Sequence, residues 1–250
     1  MSGHSKWATI KHKKGATDAK RAKVFAKLIR QVEVAAREGG PDPDMNPSLR
    51  TMYQKARDQS VPLDTIEKAI KRGSGTMEGV HYESITYEGY APGGVALLVE
   101  VLTDNRNRSG SDVRSVFTKR GGSVAEPGAV AWQFDRKGTM LVDGSVDEDE
   151  LMLAAIDAGA EDIAREGDSW RVTTGPTDLH AVRTAVEEAG FKVEESDLTM
   201  VAQNLIALDE KSAAKKVLDL VDALDDLDDV QAVHGNFDIP DAILETVEAG

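Results

Sequence analysis

The chain has 250 residues, of which 40% are hydrophobic and 30% charged, and its formal net charge is −14 at pH 7. This composition is that of a folded, soluble protein, and it excludes both an extended disordered chain and a membrane-spanning one. Because the chain has no cysteine, disulfides, thiolate metal sites and a cysteine nucleophile are excluded.

The beginning of the chain reverses the overall sign. Residues 1–72 contain 16 Lys or Arg against 8 Asp or Glu, whereas residues 73–250 contain 14 against 36. A basic segment with an interleaved aromatic attracts a phosphate backbone through charge neutralisation and counterion release. We therefore expect nucleic acid to contact the first thirty residues, through Lys6, Trp7, Lys11, His12, Lys13, Lys14, Lys20, Arg21, Lys23, Lys27 and Arg30.

Residues 1–16 show no apolar period and are predicted to form a tail, and a helix is predicted from Asp18 to the pair Gly39-Gly40. At 100° per residue its apolar side chains form one stripe, and its cations share a separate arc of about 100°. Such an arc is often only the solvated face of a helix. Here Glu33 is the only acid between Arg21 and Arg37, which favours binding. The cations of the arc are Lys20, Lys23, Lys27, Arg30 and Arg37.

Two shorter helices follow the first one. Asn46 is placed to cap a second helix that has Pro47 at its first position. A third helix follows Pro62 and ends at Gly73. Three helices with short connections predict a small bundle over residues 1–76.

From residue 82 onward the period changes to that of strands. Strands are predicted at 85–90, 95–102 and 129–134, with a helix at 109–120. Residues 137–202 then have the order βαββαβ, which is the ferredoxin-like split unit. A short strand near 205–208, a helix and a strand at 230–237 complete the sheet begun by 82–136.

The predicted fold is therefore α+β and multidomain. An N-terminal three-helix bundle, 1–76, is followed by two α/β (ferredoxin-like) domains. The first of these is discontinuous, 82–136 plus 203–240, and the second, 137–202, is inserted into it. The connection between bundle and sheet is the Gly-rich stretch 73–76.

A second candidate site is the polar segment 103–108. Arg106 and Arg108 lie two residues apart just before the predicted start of a helix, where free amides already favour an anion. These arginines can hold a phosphate, or they can pair with neighbouring carboxylates such as Asp104 and Asp112. The sequence leaves both readings open.

The chain contains no recognisable catalytic motif. Its five histidines are scattered, and neither a phosphate-binding loop nor a nucleophile elbow occurs. The acids Asp222, Asp225, Asp226, Asp228 and Asp229 miss the spacing of a calcium loop and are predicted to be a solvated helix end. We expect no enzyme, no metal and no cofactor. Four aromatic residues are predicted to belong to the sheet core: Tyr87, Tyr90, Trp132 and Phe134.

Several segments resemble the YebC/PmpR family. They are Gly-His-Ser-Lys-Trp at 3–7, Ile-Lys-His-Lys-Lys at 10–14, Tyr-Glu-Gly-Tyr-Ala-Pro-Gly-Gly-Val-Ala at 87–96, Thr-Asp-Asn-Arg-Asn-Arg at 103–108 and Glu-Pro-Gly-Ala-Val at 126–130. The resemblance implies a three-domain cytoplasmic protein that regulates transcription by binding DNA and has no assigned catalytic residue. Some members of the family instead act in translation: a mitochondrial one activates synthesis of a cytochrome c oxidase subunit, and bacterial ones are linked to rescue of ribosomes at proline-rich stretches.

We therefore expect a monomeric, cytoplasmic, DNA-binding transcriptional regulator whose partner is nucleic acid, without a membrane or a small-molecule substrate. The alternative is a translation factor that binds ribosomal RNA, since a basic tail carrying Trp7 suits unstacked bases and irregular phosphates. A third reading is a protein scaffold whose basic arm binds an acidic protein. Steep salt dependence favours nucleic acid over the scaffold, and preference for folded RNA over duplex DNA separates the first two.

Overall fold

The computed structural model describes the backbone of residues 18–248 and the side chains of residues 21–247. Within this range the chain forms two compact units. One contains Val80–Asp135 and the chain from Val201 onward, and the other contains the chain up to Gly79 together with Arg136–Met200. The architecture is mixed α/β, as predicted. The three-domain division stays a prediction.

Three helices form the bundle: α1 at Asp18–Gly39, α2 at Pro47–Asp58 and α3 at Leu63–Gly73. Their apolar faces meet in one core. Glu33 of α1 is also buried there, with its side chain 5% exposed, and accepts a hydrogen bond from Arg72 of α3 at 2.8 Å. The core residues include Leu28, Val32, Ala36, Leu49, Ala56, Ile66 and Ala69.

Asn46 connects the first two helices of the bundle. Its Oδ1 accepts a hydrogen bond from the backbone N–H of Leu49 at 3.0 Å, which is the predicted N-cap of α2. Its Nδ2 donates to the carbonyl oxygens of Ala35 and Gly40, both at 2.8 Å. Gly40 has φ +91°, a conformation in which glycine is the least strained residue at the end of a helix. One buried amide therefore satisfies free backbone groups of two helix ends.

The sheet segment begins with β1 at Glu83–Tyr90 and β2 at Ala96–Thr103, which pair antiparallel across a turn at Pro92–Gly94. Helix α4 follows at Arg106–Lys119, and β3 at Ser123–Ala125 pairs with the outer edge of β1. Strand β2 is buried along nearly its whole length. Within one unit these elements pack on Val113 and Phe117 of α4.

Six elements then follow in the order βαββαβ. They are β4 at Phe134–Asp143, α5 at Glu148–Asp157, β5 at Ala160–Glu166, β6 at Ser169–Thr174, α6 at Leu179–Glu188 and β7 at Val193–Ala202. The strands lie in the order β5-β6-β4-β7, which is that of the predicted split unit. Their own core includes Met140, Val142, Leu151, Trp170, Val172, Val182 and Val186.

Arg183 of α6 ties this sheet to the bundle. Its guanidinium makes a bidentate ion pair with Asp58 at the end of α2, at 2.8 and 3.1 Å, and also donates to Glu187 at 2.9 Å and to the Ser196 hydroxyl. The Arg183 side chain is only 7% exposed. Burial lowers the pKa of Arg183, but the hydrogen bonds and charge of Asp58, with the charge of Glu187, raise it overall. Lys55 and Asp197 form a second ion pair across the same contact.

The last segment returns to the first sheet. It contains β8 at Ile206–Ala207, α7 at Lys211–Asp225, β9 at Val230–Gly235, β10 at Phe237–Asp238 and α8 at Asp241–Glu248. Strand β9 pairs antiparallel with β2, which makes the order β3-β1-β2-β9, and β8 pairs with β10 in a separate parallel pair. Where the chain re-enters this unit, Gln203 donates from its backbone N–H to Gln133 at 2.8 Å and from its side chain to Asp135 at 3.1 Å.

Two predictions about this sheet are wrong. It is not ferredoxin-like, because β1 and β2 are joined by a tight turn and pair directly at its centre instead of flanking a third strand. The segment 129–134 is not a strand: Ala131–Gln133 is a 3₁₀ turn and β4 begins only at Phe134. Within residues 18–248 no helix is both long and apolar enough to span a bilayer.

Candidate nucleic-acid interface

The structure describes the side chains of about half of the predicted contact residues. Lys20 belongs to α1, but its side chain is outside the described set. Arg21, Lys23, Lys27, Arg30, Arg106 and Arg108 have described side chains. The residues of the predicted arm lie outside the described residues: Lys6, Trp7, Lys11, His12, Lys13 and Lys14.

Helix α1 presents a cationic arc beside its apolar face. Lys23 is exposed, and Lys27 and Arg30 are half-buried. Arg37, at the end of the same arc, is 3.5 Å from buried Glu33, which also binds Arg72. The end of the arc is therefore structural.

Arg21 does not belong to this arc. By helical geometry it points about 120° away from Lys27. Its guanidinium lies over the Phe25 ring at 5.4 Å from the centroid, which is a cation–π contact. The structure thus separates Arg21 from the other cations with which it was predicted to act.

The segment 103–108 forms a hydrogen-bonded network at the start of α4. Asn105 is the N-cap, and its Oδ1 accepts from the backbone N–H of Arg108 at 3.1 Å. Both predicted arginines therefore lie in the first turn of the helix, not before it. Asp229 Oδ2 accepts hydrogen bonds from Ser109 at 2.7 Å, Arg108 at 2.8 Å and Thr103 at 3.1 Å.

The two arginines have different surroundings. Arg108 also donates to Asp104 at 2.7 Å, and its hydrogen bonds with Asp229 and Asp104 raise its pKa. It therefore makes the carboxylate pairing that the sequence left open, with Asp229 and not Asp112 as the second partner. Arg106 is exposed and has no part in this network. Of the two, Arg106 is the one without a carboxylate partner among residues 18–248.

The acidic stretch near residue 225 was predicted to be solvated, but one of its acids, Asp229, is not. The side chain of Asp229 is 14% exposed. Burial raises the pKa of Asp229, but the hydrogen bonds from Arg108, Ser109 and Thr103 lower it overall. This carboxylate therefore stabilises the start of α4 and the end of β2. The sequence analysis did not predict this pairing because 121 positions separate Asp229 from Arg108.

Replacing Asp229 by asparagine is expected to reduce the free energy of unfolding by about 1–2 kcal/mol near pH 7, since the network loses its only charged acceptor for two hydroxyl groups. The folded-state pKa of Asp229 is lowered. Its contribution to folding stability is therefore present above the ordinary pKa of 3.8 and is lost as the pH falls through the folded-state pKa. Urea unfolding at several pH values measures this. Asp219→Asn, an exposed acid on α7, is the matched control; an equal loss in both variants would contradict the role of the network.

Glu88 is a second buried acid that the sequence did not single out. Its carboxylate accepts three backbone N–H groups, from Gly128 and Val130 at 2.6 Å and from Ala131 at 2.9 Å. Burial raises the pKa of Glu88, but these three hydrogen bonds lower it overall. An acid on a strand whose neighbours are aromatic or glycine was the available signal for this contact.

The loop held by Glu88 presents an exposed tryptophan. Trp132 was predicted to be sheet core, but it is 66% exposed, and its indole Nε1 donates to Ala129 at 3.1 Å. That prediction is wrong because Glu88 binds the backbone of this loop, so Trp132 lies in the 3₁₀ turn 131–133 and not in a paired strand. Phe134 is buried, and Tyr87 and Tyr90 are half-buried.

The arrangement offers local positive charge to an anion. Across residues 18–248 no group of His, Asp and Glu side chains is arranged to hold a metal ion. The fold and the site define the class: a mixed α/β protein with a cationic helical bundle. Residues 5–76 match the TACO1/YebC protein N-terminal domain, and residues 82–237 match the TACO1/YebC second and third domain. The chain belongs to the TACO1/YebC family, which confirms the resemblance.

Relatives cover the chain almost completely. A protein of Halothermothrix orenii called a probable transcriptional regulatory protein is 54% identical over 250 residues, 99% of each chain. One of the same name from Rubrobacter xylanophilus is 55% identical over 249 residues, again 99% of each. The crystal structure of a conserved hypothetical protein from Aquifex aeolicus is similar at 44% identity and a TM-score of 0.82, over 90% of this chain and 93% of that one.

Proposed function

We propose that this protein is a non-enzymatic, cytoplasmic regulator of transcription that binds DNA through the cationic arc of α1. The observation that carries the proposal is the run Lys23, Lys27 and Arg30 on one side of α1, without an acid between them, in a chain of net charge −14. Relatives named probable transcriptional regulatory proteins support the regulatory role. The predicted arm, 1–14, extends the same charge.

An acidic protein can bind a polyanion only where its positive charge is local. At physiological salt the Debye length is about 8 Å, so acids farther away than this are largely screened from the bound phosphates. The contact is then dominated by cations that touch phosphates and release counterions. This accounts for a cationic helix on a protein whose pI is about 4.8.

Replacing Lys23, Lys27 and Arg30 together by alanine is expected to weaken binding of a fluorescein-labelled 30-base-pair duplex of mixed sequence. If each residue contacts one phosphate, the slope of log K against log salt flattens by about 2.7 units. Fluorescence anisotropy at several salt concentrations measures both quantities. The matched control replaces Lys211, Lys215 and Lys216, three exposed lysines of α7, and should leave the slope unchanged.

Three results decide between DNA, RNA and a protein as the partner. An unchanged slope in the α1 variant would remove the arc from the interface. A folded RNA hairpin that binds more tightly than the duplex at equal salt would replace DNA by RNA as the ligand and would favour a role in translation. If neither the duplex nor the hairpin shows salt-dependent binding, a protein would remain as the partner.

A further inference from the structure

Helix α4 is a cationic exception within the acidic part of the chain. Residues 105–120 contain five Lys or Arg and a single acid, Asp112, although residues 73–250 as a whole are strongly acidic. Arg108 is committed to Asp104 and Asp229. The other cations of residues 105–120 are Arg106, Arg114, Lys119 and the C-cap residue Arg120.

Arg106 and Arg114 share one face of α4 with Gly110 between them, because positions four apart lie one above another on a helix. Both arginines are exposed, and neither forms an ion pair with another residue in the range 18–248. Asp112 points about 160° away from Arg114 by the same geometry. The two guanidinium groups thus lie on one face of the helix, and Asp112 lies on another.

Gly110 lets a hydroxyl group reach the helix between the two arginines. A Cβ atom at this position would lie 2.9 Å from Tyr87 Oη and 3.1 Å from Arg114 Nη2. The Tyr87 hydroxyl also donates to the carbonyl oxygen of Arg106, 3.5 Å away. A side chain larger than glycine would therefore displace the tyrosine hydroxyl, the arginine or both.

We propose that the α4 cationic face, defined as Arg106, Gly110, Arg114 and the hydroxyl of Tyr87, is a second site that binds the phosphate backbone of nucleic acid. This inference rests on the proposed function and adds a site remote in sequence from α1. The two arginines are eight residues apart, or about 12 Å along the helix axis, so they reach two separate phosphates of a strand. Each contact is independent of base sequence.

The chemistry of the face favours phosphate over an acidic protein. Asn107 and Ser111, both exposed, accompany the arginines and supply further hydrogen-bond donors. The large exposed apolar residues of the described chain do not include any member of α4. Protein interfaces have an apolar core, often with aromatic anchors, whereas phosphate oxygens require only positive charge and donors.

The test uses the full chain and the same 30-base-pair duplex. Replacing Arg106 and Arg114 together by alanine is expected to weaken binding on the order of tenfold at 0.15 M salt and to flatten the salt slope by about 1.8 units. Replacing both by lysine keeps the charge and should retain most of the slope. The matched control is Lys119→Ala/Arg136→Ala, which removes two exposed cations, one on the opposite side of α4 and one on β4.

Each outcome has one meaning. If the wild type binds with a steep salt slope and the alanine variant keeps that slope, the α4 site would be overturned and the proposed function would stand. The same follows if the control loses as much slope as the alanine variant, or if the lysine variant loses as much. A wild-type protein without salt-dependent binding would overturn both. Equal thermal unfolding midpoints establish that these surface variants remain folded.

Discussion

Replacing Arg183 by methionine is expected to reduce the free energy of unfolding by about 3–5 kcal/mol, because the change leaves a buried carboxylate without its partner. Asp58 is 10% exposed in its side chain and receives both guanidinium nitrogens of Arg183. Methionine fills much of the same volume, so the loss reports the missing charge and hydrogen bonds and not a cavity. The Ser196 hydroxyl loses a partner at the same time.

Urea unfolding followed by circular dichroism measures this loss. Arg57→Met, an exposed arginine next to Asp58 on the same helix, is the matched control and should change stability by less than about 0.5 kcal/mol. The double variant Arg183→Met/Asp58→Leu should recover part of the loss, since it removes both charges. A double variant as unstable as the sum of the single changes would contradict a direct pairing.

Replacing Glu88 by glutamine is expected to cost about 2–4 kcal/mol near pH 7, because an amide cannot accept three backbone N–H groups and turns its own N–H₂ toward one of them. The loop that contains Gly128, Val130 and Ala131 would lose its anchor. Since Trp132 is part of this loop, its fluorescence should change at denaturant concentrations below the main unfolding transition. Glu126→Gln, an exposed acid of the same loop, is the control.

The effect of Glu88 should depend on pH in a defined direction. The folded-state pKa of Glu88 lies below its ordinary value of 4.5, so its stabilising contribution is present above that value and is lost as the pH falls through the folded pKa. The stability difference between wild type and the glutamine variant should therefore shrink below about pH 4.5. A difference that stays constant down to pH 3 would show that the charge of Glu88 does not hold the loop.

Local chemistry in the sequence was sufficient to predict most helices and several of their ends. Asn46 before Pro47 predicts a cap because the asparagine oxygen reaches a free N–H and proline needs none. The structure has this cap, and α1 ends at Gly39 as predicted. The βαββαβ order of 137–202 also followed from alternating periods, since each element there has its own apolar face.

The failures came from contacts between distant residues. The segment 129–134 has strand-forming residues, but Glu88 captures the backbone donors of Val130 and Ala131 that a strand would use for pairing. Likewise, Asp229 binds Arg108 from the far end of the chain. A periodicity argument examines neighbours in sequence and cannot identify such partners.

The candidate site was predicted in part for the same reason. Charge counting pointed to α1 and the start of α4, because a local excess of positive residues can be counted along the sequence. It could not separate Arg106, which is exposed, from Arg108, which has two carboxylate partners. Arg21 over Phe25 is a further case, since the sequence shows the cation but not what its guanidinium touches.

Strand β2 has consequences for the way the protein is made. It needs β9 at one edge, yet β9 is synthesised only after the whole 136–200 segment, so the nascent chain carries an apolar strand with an unpaired edge for much of translation. The intervening βαββαβ segment has all of its strands within itself and can fold first. Its entry and exit are held side by side where Gln203 binds Gln133 and Asp135. Folding of the insert therefore converts a long loop closure into a short one and lowers the entropic cost of completing the parent sheet.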